Sequence, residues 1–370
     1  MLRKLSFSLI AIVCSFSTWA QTKDTTKAAA PAPVLSITGS ADFFYRYDFN
    51  KNKNQTPVSA TEAASSLTSF THAHDQFNVG MASVKLEHKT AKMDMVADLG
   101  FGQRAQEFAY NDNGVVQAIK QLYISYSPTA WVKFTGGTWA THIGYEVLDA
   151  YANRNYSMSY MFTNGPFSHT GVRADFTVGK SGIMIGVSNP TDYRNVPANL
   201  ENNKNLIAQY SYAPSDNFKL YLNYVGGRDA TDAKVHQYDL VLTAKANSVF
   251  SLGFNGTVNK SSYPSDNYAT GHTWWGSALY LNLDPQPWFG LTLRSEYFSD
   301  KDGIKLHPTS GANPGSKVFA NTLSALFKVD GFTFIPEFRY DHGSETLFTK
   351  NDGTQTKSGA SLLVAAIYSF

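Results

Sequence analysis

The chain contains sixteen stretches in which apolar and polar side chains alternate, and the connections between them are by turns short and long. The stretches are 35–48, 76–89, 92–102, 117–127, 131–139, 170–179, 182–189 and 204–213, then 217–226, 236–246, 248–259, 272–283, 287–298, 318–329, 332–341 and 359–370. Short turns are read at Thr90-Ala91, Ser127 to Ala130, Lys180-Ser181, Pro214 to Asp216, Ala246-Asn247, Asp284 to Gln286 and Asp330-Gly331. The remaining connections are polar; 49–75 and 140–169 stand out, and the second reads as the longest. A soluble sandwich or propeller has no reason to place every long loop at one end of a meander. A transmembrane barrel does, because short periplasmic turns and long external loops are its habit. The expectation is an all-β, transmembrane, antiparallel up-and-down β-barrel of about 16 strands over 35–370. An even count returns both termini to the short-turn side, the periplasm of a Gram-negative bacterium.

Parity sharpens this. In 287–298, Leu291, Leu293 and Tyr297 share one face while Thr292, Arg294 and Glu296 share the other. In 332–341, Phe334, Phe338 and Tyr340 oppose Glu337 and Arg339; in 170–179, Val172 and Phe176 oppose Arg173 and Asp175. Phe and Tyr often fall at strand ends on the apolar face, the position of interfacial aromatic girdles. Closure follows from backbone chemistry, since hydrocarbon tolerates no unpaired strand edge. The last strand ends on Phe370 with Tyr368 on the same face, the form of signal read by barrel assembly machinery.

Arg3 and Lys4, the apolar run Leu5 to Phe16, and Thr18-Trp19-Ala20 compose a secretory signal peptide over 1–20, with Gln21 as the new N-terminus. The other reading, a lipoprotein acylated at Cys14, wants a small residue before the cysteine and meets Val13. Of 31 basic and 29 acidic residues, removal of the signal leaves 29 of each and no cysteine. Thiol chemistry and an electrostatic case for nucleic acid are thereby excluded. Residues 21–34 (QTKDTTKAAAPAPV) are a flexible periplasmic tether.

Gly144 to Val147, Asn155 to Tyr160 and Gly165 to Gly171 (GYEV, NYSMSY, GPFSHTG) resemble the β-barrel porin-2 (OmpL-like) family of Bacteroidetes outer-membrane proteins. The likeness is densest over 131–175. It implies a diffusion porin and assigns no residue a role.

Candidate sites follow from the layout. The connection 140–169 is expected to fold inward, where Glu146, Asp149 and Arg154 could face one another across a pore constriction; outside, they would be solvated loop charges. Lumen parity also selects Asp42, Arg46, Lys85, Glu87, Asp94, Asp98, Lys133, Arg173, Asp175, Lys219, Asp239, Arg294, Glu296, Glu337 and Arg339. For most of these, wetting of a water-filled wall is a sufficient role. Both signs occur, so weak ion selectivity is expected. His72-Ala73-His74-Asp75 offers metal-ligand types, but polar residues at the rim of a strand are the plainer account. Asn111 to Gly114 lacks the spacing and closing Glu of a calcium loop. Ser168 and His169 point to opposite faces of a strand and cannot pair as nucleophile and base.

The leading reading is therefore a non-enzymatic passive channel for small hydrophilic solutes, with no cofactor or metal. Its partners would be outer-membrane lipid, the assembly machinery and further copies of itself. A structural or adhesive barrel with working external loops, or a barrel-embedded lipid hydrolase, are the other classes.

Overall fold

The computed structural model describes residues 33–53, 66–229, 231–306 and 315–370. The expected signal peptide, Cys14 and nearly all of the tether lie outside these residues. The strands are β1 (Val34–Asp48), β2 (Gln76–Lys89), β3 (Met93–Phe101), β4 (Ile119–Thr129), β5 (Val132–Ala140), β6 (Ser168–Val178), β7 (Ser181–Ser188), β8 (Asn205–Ser215) and β9 (Phe218–Arg228). They continue as β10 (Lys234–Lys245), β11 (Phe250–Ser262), β12 (His272–Gln286), β13 (Phe289–Asp300), β14 (Ser316–Val329) and β15 (Phe332–Gly343). A two-residue hairpin, β16 (Phe348–Thr349) and β17 (Gln355–Thr356), decorates the last long connection before β18 (Ser358–Ser369).

Each strand pairs antiparallel with its chain neighbour, and β18 pairs with both β15 and β1, giving a closed barrel of sixteen strands. No backbone edge of the wall faces outward unpaired, as hydrocarbon requires. Among the described residues the two α-helices, α1 (Gln103–Phe108) and α2 (Tyr160–Asn164), are short and lie in long connections.

The outward faces carry exposed apolar groups such as Val172 at 64% and Leu222 at 47% exposure. Inward positions on the same strands are mostly polar, with apolar exceptions such as the buried Val225 on β9, so each strand alternates as a lipid-facing wall must.

Three prolines correct the sequence reading of the turns. Pro128, Pro214 and Pro285 were expected inside turns, yet each belongs to a strand. Each sits at a register shift, between Tyr126 and Thr129, Tyr212 and Ser215, and Leu283 and Gln286. A proline has no N–H for the ladder, and a bulge is where a strand tolerates that loss. The turns proper are therefore displaced toward the following strand. Asp330 and Gly331 behave as read: both have positive φ, 47° and 81°, the conformation a tight two-residue hairpin demands. The connection 140–169 narrows to 141–167, equal in length to 49–75 rather than longer.

Candidate functional site

The third long connection, 141–167, enters the barrel instead of standing above it. Its course can be followed through the groups that hold its backbone. The Gly144 N–H donates to Asp239 Oδ1 of β10 at 3.0 Å, and the Tyr145 N–H to Asn255 Oδ1 of β11 at 3.3 Å. The Tyr145 ring stacks on Tyr280 of β12 with centroids 4.1 Å apart. At Arg154 the connection reaches the short-turn end of the wall, where the guanidinium grips Asp284 through two bonds of 2.9 and 2.8 Å. It then climbs along β14, β15 and β13 before leaving at Phe167.

That climb is a ladder of opposite charges on the wall gripping main chain. Glu337 accepts the N–H groups of Tyr156 and Ser157, and Glu296 accepts those of Tyr160 and Met161, all within 2.7–3.1 Å. Between them, Arg294 and Arg339 each donate at 2.7 Å, to the carbonyls of Ser157 and Met158 respectively. Buried backbone groups need partners, and here side chains of the wall supply what a sheet would otherwise supply. The arrangement also satisfies buried charges, which are costly unless paired and hydrogen-bonded.

The three charges expected at a constriction do not face one another. Glu146 pairs with Arg294 at 2.5 Å and accepts the Ser159 N–H at 2.8 Å, so it braces the connection against β13. Asp149 pairs with Lys120 of β4 at 2.5 Å, and Arg154 with Asp284. Each is spent on a separate part of the wall.

Simple wetting, the sufficient role for lumen charges, is corrected for many of them. Asp42, Arg46, Asp98, Asp239, Arg294, Glu296, Glu337 and Arg339 are all buried; the connection holds most of them, while Arg46 donates to the Ala73 carbonyl of the first long connection at 2.8 Å. Arg173 and Asp175 remain partly open, 3.4 Å apart, with side chains 20% and 30% exposed. Arg173 also lies over the Trp139 ring at 4.9 Å.

Sequence reasoning missed several anchors. Arg104 of α1 is buried and donates to the carbonyls of Leu148 and Tyr156 at 3.1 and 3.3 Å, sandwiched between the rings of Phe70 and Tyr156. Lys120 bridges Asp98 and Asp149. The Tyr156 hydroxyl donates to Asp42, and the Tyr160 hydroxyl to Asp341. Lys120 and Asp341 were open to a parity argument; Arg104, on a short helix in a loop, gave no periodic signal.

The remaining candidates are dispersed. His72 pairs with Glu107, His74 accepts the Asp48 N–H, and Asp75 accepts the Tyr45 hydroxyl, so the three point to different partners. Among the described residues no group of three or more His, Cys, Asp or Glu is placed to hold a metal. Asp112 ties loop to loop through Arg194 at 3.2 Å. Ser168 and His169 are both fully buried, and His169 Nε2 lies 3.0 Å from the Thr141 hydroxyl. Tyr368 and Phe370 face outward, 49% and 66% exposed, and the Phe370 main chain pairs with Gly39.

A sixteen-stranded lipid-faced barrel with a chain segment fixed across its lumen is the architecture of an outer-membrane diffusion channel. The chain belongs to the family described as "Putative beta-barrel porin-2, OmpL-like", whose model matches residues 34–370. Among curated protein sequences none matches it. Its fold is similar to that of OmpT, an outer membrane protein of Vibrio cholerae in trimer form (TM-score 0.60, 10% identity, 92% of this chain and 100% of that one). It is also similar to an anion-selective porin from Comamonas acidovorans (0.59, 10%, 92% and 100%). The outer membrane channel DcaP of Acinetobacter baumannii matches as well (0.58, 12%, 93% and 99%). At these identities the likeness is one of fold. Family and fold together identify a passive diffusion channel of the outer membrane.

Proposed function

We propose that this porin passes small hydrophilic solutes with weak ion selectivity, and that residues 141–167 set its smallest cross-section. The observation that carries the reading is the ladder of Glu337, Glu296, Arg294 and Arg339 on the main chain of 156–161, which anchors a long segment in the lumen. Glu146, Asp149 and Arg154 act in it as braces that shape the opening, while Arg173 and Asp175 meet the permeating solution. Balanced wall charge favours neither anions nor cations strongly. In this reading the short-turn rim, both termini and the tether 21–34 are periplasmic, 1–20 is the export signal, and Tyr368 and Phe370 address the assembly machinery. Lipid surrounds the wall, and self-association into oligomers fits the same scheme. Planar-bilayer conductance of the purified protein, with reversal potentials under a salt gradient, tests it. Ohmic conductance with a reversal potential near zero is expected; a silent, correctly folded barrel would refute the channel.

A further inference from the structure

Above the ladder, on the long-loop side, the lumen holds a cavity of about 340 Å³ between the ends of β8–β11 and the loops over them. That volume is in the range of small-molecule sites, about 300–1,000 Å³. Its wall mixes uncharged polar groups with Asp192, Arg228, Asp229 and Lys305. Asn205, Gln237, Asn259 and Ser261 line it, with the ring of Tyr263 at the rim. The Asn259 amide donates to Gln237 at 3.2 Å, Gln237 to Thr257 at 3.1 Å, and Ser261 to Asn259 at 2.9 Å. Each side-chain amide offers two donors and an acceptor oxygen with two lone pairs, so these single bonds leave capacity unused.

Asn205 makes the stronger point. It is 5% exposed, and its side-chain carbonyl oxygen is buried without a hydrogen-bond partner. Asn205 lines the cavity, so turning its amide toward a ligand donor would satisfy this acceptor. At present the oxygen packs against Gly227, where a Cβ would approach it to 2.1 Å.

The charges around the cavity argue against an ionic ligand. Asp192 is occupied by the N–H groups of Phe167 and Ser168, Arg228 by Asp232, and Asp229 by Thr231 and Ala233. Burial disfavours the Lys305 ammonium, and the fields of Asp229, Asp300 and Asp192 compensate for that only in part. Amides, hydroxyls and a ring face with balanced charge match a solute that is polar, uncharged and carries both donors and C–H faces.

We propose that this cavity is a binding site for an uncharged polyhydroxylated solute of mono- to disaccharide size, held before it passes the fixed segment. The proposal rests on the channel reading for its route but not for its chemistry. Equilibrium dialysis of the purified full-length protein in detergent, with labelled maltose and labelled glutamate as probes, tests it. Maltose should be retained saturably and glutamate should not. Asn205→Leu removes no hydrogen bond from the wall and should weaken maltose retention by about fivefold, the equivalent of one neutral hydrogen bond. Gln237→Leu should weaken it at least as much. Preference for glutamate, no retention of maltose by the native protein, or variants that retain maltose as well as the native protein does would overturn the assignment. Conductance of the same preparation separates the two readings: current without maltose retention removes the site and keeps the channel, and retention without current does the opposite.

Discussion

Glu337 accepts the Tyr156 backbone N–H at 2.7 Å, so a carboxylate of the barrel wall takes the place of a ladder partner for a segment that belongs to no sheet. The same carboxylate accepts the Ser157 N–H and the Ser324 hydroxyl. Removing it strands two buried main-chain donors, at about 1–3 kcal/mol each, and takes the acceptor from the buried Ser324 hydroxyl. Glu337→Ala should therefore lower amide-exchange protection at Tyr156 and Ser157 by an order of magnitude or more, on the scale of about 1.4 kcal/mol per factor of ten. The wall strands should keep theirs. Hydrogen exchange read by mass spectrometry decides this; native protection at 156–157 in the variant would mean that packing alone holds the segment.

Deleting residues 146–162 takes out the whole grip at once. Arg294, Arg339, Glu296 and Glu337 would then face the aqueous lumen, where water can solvate them, so the barrel is expected to fold. Tyr156, Met158 and Tyr160, each fully buried in the native protein, leave the lumen with the deletion. Single-channel conductance should rise, on the order of twofold, and liposome swelling with sugars should quicken. Unchanged conductance in a folded deletion variant would mean that this segment does not set the cross-section.

The wall was legible in the sequence because lipid outside and water or polar packing inside impose period two on every strand. Arg294, Glu296, Glu337 and Arg339 were placed on the inner face by that rule alone. What they do there was not legible, since they bind main-chain N–H and C=O groups of 156–161, and any residue sequence presents those groups. Glu146, Asp149 and Arg154 were recognisable as charges on a long connection, but a loop has no period from which to infer which strand each would meet. The three bulge prolines were misplaced for a related reason: proline marks a missing donor, and both turns and bulges accept one.

Parity can be tested at one pair of neighbours. Leu222 is 47% exposed on the outer face of β9, while Asn223, 5% exposed, is hydrogen-bonded to Asp239 on the inner face. Leu222→Arg should cost about 2–4 kcal/mol in refolding from urea into lipid vesicles, as a charge near mid-membrane does. Thr292, also inward, is a poor site for a tolerated charge: it is fully buried and accepts the Arg154 Nε–H, so Thr292→Arg should displace Arg154 from Asp284. Equal stability of Leu222→Arg and the native chain would place Leu222 off the lipid face.

A pH effect is expected where the fixed segment leaves the lumen. Asp192, in the connection between β7 and β8, accepts the N–H groups of Phe167 and Ser168 at 2.7 and 2.8 Å and the Tyr110 hydroxyl at 3.1 Å. Burial disfavours its charged form and outweighs those hydrogen bonds, pushing the carboxyl up to about 6. Unfolded, it would titrate near about 4. Between these values the folded state holds the proton and the unfolded state does not. Stability from this group is therefore fully present below about pH 4, falls as pH rises toward 6, and is absent above it, a span of about 2–3 kcal/mol. Exchange protection at Phe167 and Ser168, corrected for intrinsic rates, should fall between pH 4 and 7. A side-chain amide cannot ionise in this range, so Asp192→Asn should flatten that profile and be the better protected protein at pH 7.5. Protection that instead rises with pH in the native chain would show that the three donors keep Asp192 ionised throughout.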